Sequence, residues 1–140
     1  MLYLIADHRG FLLKDAISAW LHKQNIAFED LGAKELNKDD DYPDFAILAR
    51  EKAGTDDRII ALCGTGVGMD IALNRAPHIR CGLPRSLEHV REMRTDDDVN
   101  ALALGADSMT QEEAITYVQA FLETPFSGDA RHVRRIAKLS

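Results

Sequence analysis

Short apolar runs alternate along this chain with segments patterned for helix, and that alternation restricts the fold to one class. The runs are Leu2–Ala6, Ile26–Leu31, Ile59–Leu62, Ile79–Leu83 and Ala101–Leu104. Helical spacing predicts helices near Phe11–Lys23, Tyr42–Lys52, Val67–Arg75, Leu87–Met93 and Gln111–Leu122. In the first, Leu13, Ile17, Trp20 and Leu21 recur at three and four residues and form one apolar stripe. Thr110 with Glu113 is a capping box that opens the last. Strand–helix alternation of this kind gives an α/β protein, a parallel sheet with helices on both faces. At 140 residues the chain has the length of a single domain, read as an α/β core over 1–124 and a tail over 125–140.

In such sheets, sites lie beyond the carboxyl ends of the strands. That rule selects Asp7 and His8 after the first run, Cys63 to Gly68 after the third, Pro84 and Arg85 after the fourth, and Gly105 to Asp107 after the fifth. The third is the richest. Cys63 closes an apolar run and is followed by Gly64, Thr65, Gly66, Val67 and Gly68, where a helix pattern begins. Glycines let a backbone turn sharply and approach a ligand closely. A helix opening there aims free N–H groups into the same space. A thiol beside an anion cradle suits proton transfer or nucleophilic chemistry on a substrate that develops negative charge. The spacing is neither that of a dinucleotide loop, whose last glycine comes one position later, nor that of a P-loop, which ends in Gly-Lys-Ser/Thr. The competing reading is structural: a cysteine ending a buried strand behaves as a small hydrophobe.

The net charge of −6 argues against a nucleic-acid partner. Two cysteines make no disulfide framework and fit a reducing compartment; Cys81, in a strand-like run, reads as packing. Nothing approaches a membrane span, so the expectation is a cytoplasmic protein with no membrane partner. No His, Cys or Asp cluster has metal-ligand spacing, and neither metal nor cofactor is expected. The stretch Lys38–Asp41 reads as a solvated loop, and His78 and His89 as solvated side chains. After Pro125 and Gly128 a basic amphipathic helix is expected over Asp129–Leu139, with Val133, Ile136 and Ala137 on its apolar side. Arg131 and Arg135, four apart, share a face. That helix could fold back on its own domain or dock on a second subunit. Its basic residues have a bland role as a solvated face that compensates the helix dipole.

Together the motifs Asp7-His8-Arg9-Gly10-Phe11, Asp41-Tyr42-Pro43-Asp44, Cys63-Gly64-Thr65-Gly66-Val67-Gly68, Asn100 ahead of Leu102-Ala103-Leu104-Gly105, and the tail Glu123-Thr124-Pro125-Phe126 with Gly128, Arg131-His132 and Arg135 resemble a known family. It is the sugar-phosphate isomerase family of ribose-5-phosphate isomerase B and the galactose-6-phosphate isomerase subunits. The resemblance runs in order along essentially the whole chain. It implies a Rossmann-like three-layer sandwich with a five-stranded parallel sheet, working as a homodimer or homotetramer. The C-terminal helix then docks on a partner and the sites lie at the subunit interface. It implies metal-free aldose–ketose isomerisation of a sugar phosphate through a cis-enediolate. Cys63 is then the proton shuttle, Thr65 relays protons, and Gly64, Gly66, Val67 and Gly68 line the anion hole. Asp7, His8, Tyr42, Asp97 and Asn100 hold the sugar, and Arg131, His132 and Arg135 grip the phosphate.

Two positions depart from the family pattern. Where the family carries its ring-opening histidine this chain has Asp96, in Asp96-Asp97-Asp98-Val99-Asn100, and by that position Asp96 is expected to join Cys63 and Thr65 as a catalytic residue; a carboxylate can serve as a base but is a poor acid at neutral pH. Where ribose-5-phosphate isomerases often carry a phosphate-binding arginine it has Asp107. The galactose-6-phosphate B subunit shares the Cys-Gly-Thr-Gly-Val-Gly string without the histidine. The departures therefore weigh against ribose 5-phosphate as the preferred sugar more than against isomerisation. The alternatives are a non-catalytic or cooperating subunit of a hetero-oligomeric isomerase, and a small-ligand-binding Rossmann-like module. Arg85 and Arg94 are candidates for the positive charge missing at Asp107.

Overall fold

The computed structural model describes residues 1–140. The strands are β1 (Leu2–Ala6), β2 (Glu29–Asp30), β3 (Arg58–Cys63), β4 (Cys81–Gly82) and β5 (Ala101–Gly105), all parallel, in the order β2-β1-β3-β5-β4. The helices are α1 (Phe11–Lys23), α2 (Tyr42–Lys52), α3 (Val67–Leu73), α4 (Leu87–Asp97), α5 (Gln111–Glu123) and α6 (Ala130–Ala137).

The three central strands are buried on both faces, so their residues are apolar throughout and alternate between two cores. Leu2, Leu4, Ala6, Ile60, Leu62, Leu102 and Leu104 face α1, α4 and α5, where Leu13, Ile17, Leu21, Val90, Val118 and Phe121 meet them. Tyr3, Ile5, Ile59, Ala61, Cys63, Ala101 and Ala103 face α2 and α3, against Ala46, Ala49, Met69 and Leu73. The three-layer sandwich follows directly from that split.

The central strands and α1 and α2 run as the sequence predicts. The edge strands do not. Only Glu29–Asp30 of the run Ile26–Leu31 joins the ladder, and only Cys81–Gly82 of Ile79–Leu83. Each has one neighbour, and each is bent at its start. Asn25 takes a φ of 56° just before the run Ile26–Leu31, while the Arg80 carbonyl accepts from both Asn100 N–H and Ala101 N–H beside β4. Short edges also leave few unpaired groups to recruit another strand. Helix α4 runs one turn longer than Leu87–Met93, opened by Ser86, whose hydroxyl accepts from His89 N–H at 3.1 Å, and closed by Asp98 at φ 45°. At α5 the Thr110 hydroxyl accepts from Glu113 N–H at 3.1 Å and donates to the Glu113 carboxylate at 3.2 Å. No helix is long and apolar enough to cross a membrane.

The tail folds back on its own chain. Ser127 N–H donates to Thr95 carbonyl at 3.1 Å, and His132, buried on α6, lies 3.7 Å from the Asp96 carboxylate on α4. A partner subunit is thus not what seats His132. Arg131, Arg134 and Arg135 remain exposed.

Candidate active site

From β1 the chain crosses to β2 on one side and returns to β3 on the other. The crevice beyond β1 and β3 is therefore the topological switch point, the position where open α/β sheets bind ligands. Ala6 is in register with Leu62, and Asp7 N–H donates to Leu62 carbonyl at 3.3 Å, so Asp7 and Cys63 end neighbouring strands. Cys63 is 4% exposed, which satisfies the packing reading of a strand-end cysteine while leaving an edge of the residue open.

The loop after Cys63 is shaped by contacts only glycine permits. Gly66 caps α3 at φ 82°, and a Cβ there would lie 2.6 Å from Leu83 Cδ1. At Gly64 the space of a side chain is filled by the Arg9 guanidinium, and at Gly68 by the Tyr42 ring, 2.6 Å from a Cβ position. Tyr42, at the start of α2, is thereby laid against the first turn of α3. Val67 N–H points to Thr65 Oγ1 at 3.4 Å, a long contact that leaves the exposed hydroxyl free to turn. A cleft of about 420 Å³ opens beside Thr65, lined also by Arg85, Gly105 and Glu113.

Asp7 and His8 are both anchored. Asp7 is buried, and its Oδ1 accepts from Arg9 N–H at 3.0 Å and Gly10 N–H at 3.1 Å, which turns the chain into α1. His8 Nδ1 lies 2.7 Å from Asp40 Oδ1, the same oxygen that accepts His8 N–H at 3.1 Å. Asp40 is therefore not the solvated loop residue the sequence suggests. Its side chain is mostly buried, and its Oδ2 is buried with no hydrogen-bond partner. Asp7, His8 and Asp40 also bring three potential ligating atoms within 4.8 Å of one another. Their shortest contacts are spent on one another and on backbone amides, as a hydrogen-bond network.

The charge at Asp107 is balanced by Arg9, whose guanidinium pairs with it across the loop, while Asp107 N–H donates to Gly64 carbonyl at 3.0 Å. Neither Arg85 nor Arg94 does this. Arg94 is buried and holds Asp98 Oδ1 and Val99 carbonyl, both at 2.7 Å, and Arg85 stands beside His89. Arg9 and Asp40 are the residues sequence reasoning missed. One feature of the sequence, the position of Arg9 beside Asp7 and His8 at a strand end, could have drawn attention to the first.

The remaining predicted residues lie elsewhere. Helix α4 runs back against the strands, so its last turn sits at their amino ends. Ala101 pairs with Ile59, four residues before Cys63, which puts Asn100 about 13 Å or more from Cys63 along the sheet. Asp96, Asp97 and α6 are at that same far end. Asn100 is a tether there: its Oδ1 accepts from Arg80 N–H at 2.7 Å and its Nδ2 donates to His78 carbonyl at 2.9 Å. Asp97 lines a second cavity of about 430 Å³ with Cys81, Met93 and Leu139. Burial, then the Asp70 carboxylate, push the Cys81 thiol well above its ordinary value, and burial raises Asp70 in turn. One chain thus holds Asp7, His8, Tyr42 and Cys63 through Gly68 together, and keeps Asp96, Asp97, Asn100, Arg131, His132 and Arg135 apart from them.

Compared with known proteins, the model of a family described as Ribose/Galactose Isomerase matches residues 2–139. The chain belongs to that family. It is 40% identical to ribose-5-phosphate isomerase B of Mycolicibacterium paratuberculosis, over 96% of this chain and 86% of that one. It is 36% identical to a probable ribose-5-phosphate isomerase B of Mycoplasma pneumoniae, over 99% and 91%. Among solved structures, ribose-5-phosphate isomerase B of Mycoplasma genitalium with bound ribulose-5-phosphate superposes with a TM-score of 0.94 at 37% identity, covering 99% of this chain and 92% of that one. The Thermotoga maritima ribose 5-phosphate isomerase has a TM-score of 0.93 at 36% identity, over 99% and 95%. The Rossmann-like sandwich implied by the resemblance is thus the observed fold.

Proposed function

We propose that this chain is an aldose–ketose isomerase of a phosphorylated sugar, acting through a cis-enediolate with Cys63 moving the proton between C1 and C2. The observation that carries the proposal is the placement of Cys63 at the switch point, next to Asp7 and at the mouth of the glycine loop that opens α3. A thiolate there removes the proton on C2 of the aldose and returns it to C1. The oxygen that gains charge is met by the loop amides from Gly64 to Gly68. Thr65, exposed and weakly held, is free to pass protons between the two oxygens. Asp7, His8 and Tyr42 hold the hydroxyls. Relatives that carry the name ribose-5-phosphate isomerase B, one of them bound to ribulose-5-phosphate, support a pentose phosphate as substrate.

The phosphate is assigned to Arg131, His132 and Arg135; the two guanidinium forks suit phosphate oxygens, and the imidazole can add a single N–H donor. These lie at the opposite end of the sheet from Cys63 in one chain, which supports a site completed by a second copy, with Asp96 and Asp97 entering from the same side. Asn100, with its amide committed to the 78–80 backbone, is best read as a support for that end. A different second chain is the alternative, since Asp96 and Asp107 depart from the family pattern. The test is a panel of phosphorylated and free aldoses given to the purified chain alone, with chelator present. Turnover of a sugar phosphate, with solvent deuterium entering at C1 or C2, is expected. Turnover only after a second, different protein is added would favour the hetero-oligomer, and none at all would contradict isomerisation.

A further inference from the structure

An aldose 5-phosphate rests in water as a closed hemiacetal, and no C1–C2 proton transfer can begin until the ring opens. Opening breaks the C1–O4 bond. Its electron pair goes to O4, which gains a proton; O1 loses its proton and C1=O1 forms. One group that accepts a proton from O1 and delivers it to O4 balances the step. An imidazole does so only if one ring nitrogen is bare and the ring is held in place.

The structure offers one such imidazole at the switch point. His22 is exposed on α1 and tilted against Phe28, with ring centroids 4.9 Å apart. His78 Nε2 meets Arg50 carbonyl at 3.0 Å, His89 accepts from Arg85 N–H at 3.1 Å, and His132, which enters only from a second copy, has its Nε2 3.7 Å from the Asp96 carboxylate and is assigned to the phosphate. His8 follows Asp7 at the end of β1, and its Nδ1 is 2.7 Å from the Asp40 carboxylate. A carboxylate can only accept, so Nδ1 carries the proton, and in the neutral ring Nε2 is the bare nitrogen. Asp40 also holds His8 N–H, which fixes the backbone from which the ring projects. Its Oδ2, buried and unpartnered, is the chain's one such side-chain atom. A buried carboxylate half without partners is costly to keep, and the ring of His8 is the only side chain this one serves.

Resting on the isomerase reading above, we infer that His8 is the ring-opening group and that Asp40 is its positioning residue, fixing the Nδ1–H tautomer. The weak acid at Asp96 then forfeits nothing essential, and the sequence-based expectation of poor ribose 5-phosphate turnover reverses.

Ribulose 5-phosphate separates the steps. Its carbonyl is at C2 and its O5 is phosphorylated, so no hydroxyl can close a five-membered ring. In D₂O its C1 proton exchange reports enediolate formation alone, whereas conversion of ribose 5-phosphate includes ring opening. Asp40→Asn keeps shape but offers an amide that can pair with the wrong tautomer. The expected result is a loss in ribose 5-phosphate kcat of roughly 10²–10⁴, with exchange of ribulose 5-phosphate within a few-fold of wild type. Nitrogen NMR should find His8 protonated at Nδ1 in the wild type and not in Asp40→Ala. Equal losses in exchange and isomerisation, unchanged isomerisation, or a bare His8 Nδ1 in the wild type would each overturn the dyad. A wild type that neither exchanges ribulose 5-phosphate nor converts ribose 5-phosphate overturns the isomerase reading instead.

Discussion

Cys63 and Cys81 differ in what their surroundings do to a thiol. Cys63 stands at the switch point with the glycine loop in front of it, and Cys63→Ala should lower kcat by roughly 10²–10⁴, the usual range for a general base, while circular dichroism and the melting curve stay close to wild type. Activity within a few-fold of wild type would exclude the shuttle role. Cys81 is partly buried beside the Asp70 carboxylate, and desolvation, then that carboxylate, push its thiol well above its ordinary value. In a Cys63→Ser variant, where Cys81 is the sole thiol, alkylation at pH 8 should run roughly tenfold or more below that of a free cysteine. The linked effect on stability has a definite sign. A raised folded pKa contributes stability that is complete below the ordinary thiol range and is lost as pH climbs through the folded value. Denaturant midpoints should therefore fall above the ordinary thiol range in the wild type and fall less in Cys81→Ala. At this scale the sequence exposes what is adjacent in it: a thiol before glycines, an aspartate and a histidine ending a strand. It hides pairings such as His8 with Asp40 and Arg9 with Asp107, because these join residues the fold alone brings together.

Among the elements, the loop into α3 and the β2 edge carry the sharpest constraints. Gly66→Ala forces a side chain into the left-handed region and against Leu83, and should cost about 1–3 kcal/mol in urea unfolding. A cost under a few tenths would show that the loop relaxes freely. Lys14, 2% exposed in the first turn of α1, donates to Asp30 Oδ2 at 2.6 Å and to Ala33 carbonyl at 2.7 Å, tying α1 to β2 and the chain after it. Asp30→Ala strands that ammonium and should destabilise by about 3 kcal/mol, whereas Lys14→Met should cost far less. The reverse order would mean that the pair itself is the stabilising element. The helices and central strands were legible because their burial imposes a period: Leu13, Ile17 and Leu21 on one stripe, Leu4 and Ile5 on opposite sheet faces. The edge strands were not, since a single neighbour and half-exposed side chains leave no period to read. Lys14 is equally invisible in sequence, where a lysine in a helix reads as solvent-facing.

For the whole molecule, the arrangement of residues along the sheet is decisive. Parallel strands place every carboxyl end on one edge, so Cys63 and Asp7 were predictable as neighbours; the same rule places the end of α4, and the tail docked on it, at the other edge. Sequence order conveys motif content but not this separation, which appears only when the direction of α4 is known. A site that uses both ends must join two chains. The direct measurement is complementation between two inactive variants, Cys63→Ala and the double variant Arg131→Ala with Arg135→Ala. Each should turn over a sugar phosphate poorly by itself, the second chiefly through a raised KM. In a two-fold dimer, equal mixing leaves half the dimers mixed, each with one intact site and one doubly damaged site. After verified subunit exchange the account predicts recovery to about a quarter of wild-type activity; activity that stays at the level of the separate variants would contradict a site shared between two copies of this chain.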